Sequence, residues 1–366
     1  MHFNDLANEL LLHIFQSSAD IPSLLALSST CRHFHSVLAS HRLPTLYEAA
    51  EAQYGPLFDA IRVVTHNHSQ LAHLPRPAPP QSLALLKRLV DVGRVANQWA
   101  AVYPNQKWRG EDSTSRRLLN MEERYRLRRA CYRMWLYTLA FNTPNHTRAV
   151  RLHPQVIRTR ALLLRPWPSQ HLAEMLDLHA IFRQILHSQI CPSNGTVLRR
   201  HKQRYPNDHA PFVVTTGFAK ARDECSGFQQ GYFHSTPHVS RLSMAKNHNQ
   251  RHGAVEGWGD EITQYYVVED MLKLHPGHLM YLFESVMGQV SPSDGLPGSW
   301  DPMGGSKVAV EQFVAGLGDW FENNGETLVE TVGVVVADRG GDMGALREGV
   351  EVGWEGIARR EEGEGF

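Results

Sequence analysis

The first 31 residues of the chain contain no lysine or arginine. Secretory signals and mitochondrial presequences need basic residues, so this stretch is not predicted to be a targeting segment. No stretch approaches the run of about 18 to 20 apolar residues that a membrane helix needs. Nothing repeats at a period of about 20 to 50 residues, which excludes propeller blades and leucine-rich repeats.

Cysteine is scarce, and no two cysteines form a Cys-x-x-Cys pair. The four cysteines are Cys31, Cys131, Cys191 and Cys225. Their wide spacing is typical of a reducing compartment and predicts neither a disulfide framework nor a zinc site. We therefore expect a cytoplasmic or nuclear protein.

Motifs of known catalytic chemistry are also missing. There is no Gly-x-Ser-x-Gly elbow, and PMGGSKVAVEQF (302–313) has the order Gly-Gly-Ser-Lys instead of the Gly-Lys-Ser/Thr of a phosphate loop. The chain has 21 histidines, but the closely spaced pairs lack the glutamate of a His-Glu-x-x-His site. The pairs that lie three or four residues apart are His234 with His238, His248 with His252, and His275 with His278. We predict no catalytic residue, no metal ligand and no cofactor, and hence a protein that is not an enzyme.

Charge is unevenly distributed although the net charge is zero. Residues 1–250 carry a net charge of +14, and residues 251–366 carry −14. A basic region can bind nucleic acid. Because an acidic region of equal magnitude lies in the same chain, mutual neutralisation is the favoured interpretation.

The N-terminal stretch FNDLANELLLHIFQSSADIPSLLALSSTCRHFHSVL (3–38) has the apolar spacing of three short helices. In the first helix the spacing gives one broad apolar face, formed by Leu10, Leu11, Ile14 and Phe15. Asp20 is expected to cap the second helix, with Pro22 in its first turn, and Thr30 to cap the third. Three such helices cannot bury all their apolar faces among themselves. Part of this surface must meet the rest of the chain or a partner.

The same residues resemble an F-box. Its usual pattern is Leu-Pro-x-Glu-Leu-Leu-x-x-Ile-Phe, a spacer, a leucine-rich helix and Cys-Arg-x-Phe/Trp. The matching positions are Leu6, Glu9, Leu10, Leu11, Ile14, Phe15, Leu24, Leu25, Leu27, Cys31, Arg32 and Phe34. Ala7 replaces the usual proline, and Ser18 stands where leucine is common. Loss of the proline loosens the start of the first helix and indicates weaker binding to an adaptor than is typical.

The resemblance implies a substrate receptor of a Skp–cullin–F-box ubiquitin ligase. Residues 1–45 would be the F-box, which docks on the small Skp-type adaptor and through it on a cullin, and a protein substrate would bind elsewhere. The adaptor-binding residues are expected to be Leu6, Ala7, Leu10, Ile14, Leu24, Leu27, Cys31 and Phe34. The pattern does not separate residues that face the adaptor from those that face the core of the domain.

The whole chain is predicted to be mainly α, with the three-helix F-box followed by an irregular helical domain and a Gly-rich acidic tail. A connecting helix and the Pro-rich linker PRPAPP (75–80) occupy residues 46–80, and the helical domain, a candidate substrate-recognition region, occupies 81–290. A helical pattern at 261–290 breaks at Pro276. Because 17 of the 28 glycines lie at or after Gly288, residues 291–366 are expected to be partly disordered. Within them, TVGVVVAD (331–338) predicts a strand or a short buried run.

The segment NMEERYRLRRACYRMWLYTLAFN (120–142) predicts a strong helix. Asn120 and Glu123 have the spacing of a capping box. One face is apolar, and the rest is largely covered by Arg124, Arg126, Arg128, Arg129 and Arg133. Such arginines can grip phosphates, but they more often lie half-buried with their heads paired to carboxylates. The segment is also similar to a helix of fungal F-box proteins, which implies a fungal source.

Two alternatives from other classes remain. One is a structural or scaffolding protein whose F-box-like start packs internally, which Ala7 and Ser18 favour slightly. The other is a nucleic-acid-binding protein that uses the arginine-rich helix.

Overall fold

The structure is a computed structural model of the chain. It describes residues 6–109, 117–143, 146, 150–204, 257–288, 310, 313 and 326–359. The histidine pairs between 234 and 252, the Gly-Gly-Ser-Lys stretch and the last seven residues lie outside these ranges. Within them the chain is helical and contains no strand, which confirms the mainly α fold class.

Fourteen α-helices and one π-helical turn are described, and their bounds are as follows. They are α1 (Asn8–Gln16), α2 (Ile21–Ser29), α3 (Arg32–Ser40), α4 (Arg42–Tyr54), α5 (Leu57–Val64), α6 (Leu83–Lys107), α7 (Met121–Phe141), α8 (Pro154–Leu164), α9 (Ser169–Ile185), the π turn (Leu186–Ile190), α10 (Asn194–Arg204), α11 (Glu261–Met271), α12 (Pro276–Gly288), α13 (Leu328–Asp338) and α14 (Met343–Val352). None of these helices is both long and apolar enough to cross a bilayer.

The chain divides into two compact units. The first comprises Met1–Ala140, Leu162–Leu178 and Val336–Phe366, and the second comprises Phe141–Ala161 and His179–Val335. In the first unit, α1 and α2 each pack against α3, all three contact α4, and α4 and α5 pack on α6. The domain boundaries proposed from sequence, at residues 45, 80 and 290, stay predictions.

The long helix α6 forms the centre of the first unit. It begins after Ser82, whose hydroxyl accepts a hydrogen bond from the Leu85 N–H at 3.1 Å. Trp99 is completely buried. A Cβ atom at Gly93 would lie 2.5 Å from the ring of Tyr54, so the missing side chain lets α4 and α6 approach closely.

A buried carboxylate joins distant parts of the first unit. Asp177 accepts hydrogen bonds from the Tyr103 hydroxyl at 2.6 Å, from the Lys107 ammonium at 2.8 Å and from the Ile357 N–H at 2.9 Å. Next to it, Gly356 adopts a φ of +104°, and a Cβ atom there would lie 2.6 Å from a carboxylate oxygen of Asp177. Because a buried charge needs partners, these contacts fix the segment around residue 357 to α6 and α9.

In the second unit, the π turn after α9 packs against α11 and α12. The buried Gln264 donates to the carbonyl oxygens of His187 at 2.9 Å and Cys191 at 2.6 Å. This side chain therefore satisfies carbonyls of the irregular helix end. The break expected at Pro276 is confirmed, since α12 begins there.

The stretch 331–338 is helical, because it lies inside α13. The strand prediction is therefore wrong, and the alternative of a short buried run is correct. Val332 and Val335, one turn apart, are completely buried. β-branched residues favour strands by local preference, but burial on one helical face overrides that preference here.

Candidate functional site

The apolar face predicted for α1 is divided between the inside and the outside of the first unit. Leu11 and Phe15 are buried, whereas Leu10 is 53% exposed and Ile14 is half-buried. Leu10 and Ile14 lie four residues apart and therefore share one face of the helix. This face leaves apolar surface in contact with solvent.

The start of α1 has the backbone conformation that proline would impose. Ala7 is the N-cap, with φ −61° and ψ 146°, and its carbonyl accepts from the Leu10 and Leu11 N–H groups at 3.0 and 3.1 Å. The proline ring fixes φ near −65°. Ala7 is exposed and Leu6 is half-buried. Alanine in place of the usual proline therefore has the same backbone φ in the folded state that proline would have.

The predicted cap of α2 is confirmed, and two neighbouring leucines of this helix differ in burial. Asp20 accepts a hydrogen bond from the Ser23 N–H at 2.6 Å, and Pro22 lies in the first turn. Leu24 is completely buried, and Leu25 beside it is 44% exposed. Leu25 is thus a candidate contact that the expected residue set omits. Leu24 and Ser28, one turn apart, form the buried side of α2, and Leu25 lies outside it.

The predicted cap of α3 is wrong by one residue. Cys31 is the N-cap, and its sulfur accepts from the Phe34 N–H at 3.4 Å. Thr30 instead ends α2, and its hydroxyl donates to the Leu27 carbonyl at 2.8 Å. Phe34 is buried and packs edge-on against Phe15 with ring centroids 6.2 Å apart.

The residues expected to bind an adaptor fall into two groups. Leu24 and Phe34 lie in the core, so in this conformation their contribution is to hold the helices in place. The others keep exposed surface. We call this accessible set, with Leu25 added, the N-terminal apolar surface: Leu6, Ala7, Leu10, Ile14, Leu25, Leu27 and Cys31.

The helices that carry this surface correspond to a known domain. Residues 3–43 match the family model described as F-box-like. The chain carries an F-box-like domain. The match spans α1 to α3 and ends inside α4. Comparisons with curated proteins and with solved structures give no match.

The F-box-like domain is attached to the rest of the first unit through α4. Gln16 donates to the Glu48 carboxylate at 3.4 Å, and the Ile21 N–H donates to the side-chain oxygen of Gln53 at 3.2 Å. Leu46 on α4 is buried. Because α4 also packs on α6, the domain is continuous with the core of this unit.

The arginine-rich helix α7 is a second region singled out by the sequence, and its capping box is confirmed. The Asn120 N–H donates to the Glu123 carboxylate at 2.9 Å, and the Glu123 N–H donates to the Asn120 side chain at 2.8 Å. Arg117 binds the same carboxylate with two hydrogen bonds of 2.6 Å. These contacts hold the pKa of Glu123 below its usual value although burial raises it.

The arginines of α7 are engaged within the first unit. Arg133 donates to Asp59 at 3.1 Å, and Arg129 donates to both oxygens of the buried Glu174 at 3.0 and 2.6 Å. Arg128 donates to the Gly55 carbonyl at 2.8 Å. Burial raises the pKa values of Asp59 and Glu174, and the arginines oppose this shift.

The two remaining arginines lie nearer the start of α7. Arg126 pairs with Glu122, and Arg124 donates to the Leu119 carbonyl at 3.1 Å. The half-buried interpretation of this helix is confirmed.

Among the described residues, no group of three or more His, Cys, Asp or Glu side chains is placed to hold a metal ion. Burial raises the pKa of the Cys131 thiol, which makes it a poor nucleophile. His275 caps α12 by accepting from the Gly277 and His278 N–H groups at 3.1 and 3.2 Å, and burial lowers its pKa to about 3.

Proposed function

We propose that this protein is a substrate receptor of a Skp–cullin–F-box ubiquitin ligase, acting in the cytoplasm or nucleus. The proposal depends chiefly on the accessible apolar residues of the F-box-like domain, above all Leu10 at 53% exposure. An apolar side chain of this size contributes about 1.5 to 3 kcal/mol when a partner buries it fully. A few such residues on one helix are enough for a hot spot.

The mechanism we infer is proximity, without bond-making by this chain. The F-box-like domain binds a Skp-type adaptor, and the adaptor connects it to a cullin. Another part of the chain holds a target protein, so that the target's lysines are present at high effective concentration near activated ubiquitin. The continuity of α4 with α6 supports this division of labour, because it prevents the docking helices from moving freely on a linker.

The arginine contacts argue against the nucleic-acid alternative. Phosphate binding needs accessible guanidinium groups. Arg128 and Arg133 are buried, and Arg129 is committed to a buried carboxylate. The proposed function therefore assigns α7 to the scaffold.

The proposal is tested by capture of a purified Skp-type adaptor on the immobilised full-length chain. The double variant Leu10→Asp with Ile14→Asp places charges on the exposed face of α1. We expect it to fold and to lose adaptor binding. Leu83→Asp is the matched control, since Leu83 is 48% exposed and begins α6. It should bind as the natural chain does.

Circular dichroism and a thermal unfolding curve establish that each variant is folded. Adaptor binding by the folded double variant at natural affinity would refute docking through this face. If the natural chain itself captures no adaptor, the scaffolding alternative is the better explanation.

A further inference from the structure

Outside the F-box-like domain, the first unit exposes apolar side chains on α5 and on the loop that follows this helix. Phe58 is 72% exposed, Leu71 54% and Leu74 47%. We call these three residues the α5 surface. The helix buries Ala60 and Val64 on its inner side, and Phe58 lies outside that side. Large apolar side chains with this exposure are typical of a surface that a partner covers.

Hydrogen bonds bring the loop next to the helix. Phe58 and Arg62 are one turn apart on α5, with about 5 to 6 Å between their Cβ atoms. The Arg62 guanidinium donates to the carbonyl of Ala72, the residue after Leu71, at 3.2 Å. The Leu74 N–H donates to the Leu71 carbonyl at 3.1 Å, so both leucines belong to one turn of the loop. These bonds place that turn beside the face of α5 that carries Phe58.

A second arginine holds the backbone of the same loop. Arg76 donates from Nη1 to the Thr65 carbonyl at 2.8 Å, and from Nη2 to the carbonyls of Asn67 and Gln70, both at 3.4 Å. One side chain thus fixes three carbonyl groups along the loop. A surface whose backbone is already held loses less conformational entropy when a partner binds.

The charge beside the α5 surface is positive. Between residues 57 and 82 the chain has two basic residues, Arg62 and Arg76, and one acidic residue, Asp59. Asp59 is buried and accepts a hydrogen bond from Arg133. Arg62 and Arg76 donate to backbone carbonyls, which are uncharged and leave the positive charges in place. The ligand that complements this surface has apolar side chains with carboxylates beside them.

We propose that the α5 surface binds an acidic segment of a target protein, whose apolar side chains pack against Phe58, Leu71 and Leu74. Burial of apolar area supplies the affinity, and Arg62 and Arg76 select segments that carry aspartate or glutamate. The description of the ligand as a target for ubiquitin rests on the proposed function. Because α5 packs on α4 and α6, a bound segment is held in a fixed position relative to the adaptor-binding helices.

The test is a selection of random peptides from a phage-displayed library on the immobilised full-length chain, with the variant Phe58→Asp as the counter-target. Phe58 is exposed and lies in the first turn of α5, where an acidic residue is favourable, so this variant should fold. We expect the peptides that only the natural chain retains to be enriched in acidic and large apolar residues and depleted in lysine and arginine. Fluorescence anisotropy with a retained peptide should show binding at least about tenfold weaker for Phe58→Asp. Added salt should weaken binding to the natural chain.

Tyr265→Asp is the matched control, since Tyr265 is 53% exposed but lies on α11 in the second unit. It should bind the retained peptides as the natural chain does. Retained peptides without an excess of acidic residues would overturn the proposal, and so would equal binding by Phe58→Asp. A dimer of the natural chain that sedimentation detects and that Phe58→Asp abolishes would also overturn it, because a second copy would then be the occupant.

Adaptor capture separates this proposal from the proposed function. Phe58→Asp should capture the Skp-type adaptor as the natural chain does, because Phe58 lies outside the matched residues 3–43. If the natural chain selects acidic peptides but captures no adaptor, the proposed function fails and the role of the α5 surface stands. If it captures the adaptor but selects no acidic peptide, the role of the α5 surface is refuted and the proposed function stands.

Discussion

Ala7 shows how one residue can depart from a family pattern without changing the folded backbone. Its φ of −61° is the value of proline, and its carbonyl makes the first bonds of α1. The cost of the alanine therefore lies in the unfolded chain, which has more conformations to lose on folding.

Restoring proline at this position should stabilise the protein. We expect Ala7→Pro to raise the free energy of unfolding by about 0.4 to 1 kcal/mol, measured by urea denaturation. Ala26→Pro is the control, because Ala26 lies inside α2 and proline there costs about 3 kcal/mol. If Ala7→Pro lowered the free energy of unfolding, a proline-like φ at residue 7 would not be sufficient for proline to stabilise the protein.

A second residue, His275, makes the stability of the second unit dependent on pH. Its pKa falls from the ordinary 6.5 to about 3, because burial favours the neutral ring. The folded state therefore binds fewer protons than the unfolded state between these values, and stability is lost as pH falls from about 6.5 to 3.

The variant His275→Asn isolates this effect, since asparagine is also a good N-cap and does not titrate. We expect its free energy of unfolding to fall less steeply over this range, by up to about 1.4 kcal/mol per pH unit relative to the natural chain. The measurement is urea unfolding at a series of pH values. Parallel curves for the two proteins would contradict the assignment.

At the scale of elements, α7 is hydrogen-bonded to several parts of the first unit. Its arginines reach α5 through Asp59, the turn before α5 through Gly55, and α9 through Glu174. The ring of Trp167 lies 4.8 Å from the Arg133 guanidinium. These pairs set the relative positions of the helices more than they add stability, since burying ions is expensive.

Removing one partner of a buried pair should be costly. We expect Arg133→Met to lower the free energy of unfolding by about 3 to 5 kcal/mol, because Asp59 would remain buried and uncompensated. The double variant with Asp59→Leu should recover most of this loss. Arg124→Ala, an exposed arginine of the same helix, should change stability by less than about 0.5 kcal/mol. A double-mutant cycle by urea denaturation gives all these values.

Most caps that depend on neighbouring residues were predictable, although that of α3 was assigned one residue early, and contacts between distant residues were not predictable. The capping box of α7 and the cap at Asp20 follow from spacings of three residues. Which of Leu24 and Leu25 faces outward depends on how α2 packs against α3 and α4, and the sequence pattern is the same for both. The buried partner of Arg129, Glu174, lies 45 positions away and has no local signal.

At the scale of the whole chain, Asp177 connects segments of the first unit that are far apart in the sequence. Its partners come from α6 and from the segment after α14, which is 180 positions further along the sequence. Gly356 is required there for two reasons, its positive φ and the closeness of the carboxylate.

Comparing two glycines with positive φ distinguishes the cost of the backbone conformation from the cost of the close contact. Gly340 has a φ of +73°, and a Cβ atom there would meet nothing within 4 Å, whereas Gly356 has both the conformation and the close contact. We expect Gly340→Ala to cost about 1 to 2 kcal/mol, the strain of a left-handed residue. Gly356→Ala should cost more, because the methyl group displaces the Asp177 carboxylate from its donors. If urea unfolding gave the same loss of stability for both variants, the contact between the new methyl group and the Asp177 carboxylate would cost nothing.

The Asp177 contacts also constrain how the protein is made. A ribosome delivers Tyr103, Lys107 and Asp177 long before Ile357. Until Ile357 emerges, the carboxylate of Asp177 in the nascent first unit lacks one of its hydrogen-bond donors. A chain released early, by a stop codon before residue 356, is thus left unfinished at its centre and is exposed to the proteases and chaperones that remove incomplete products.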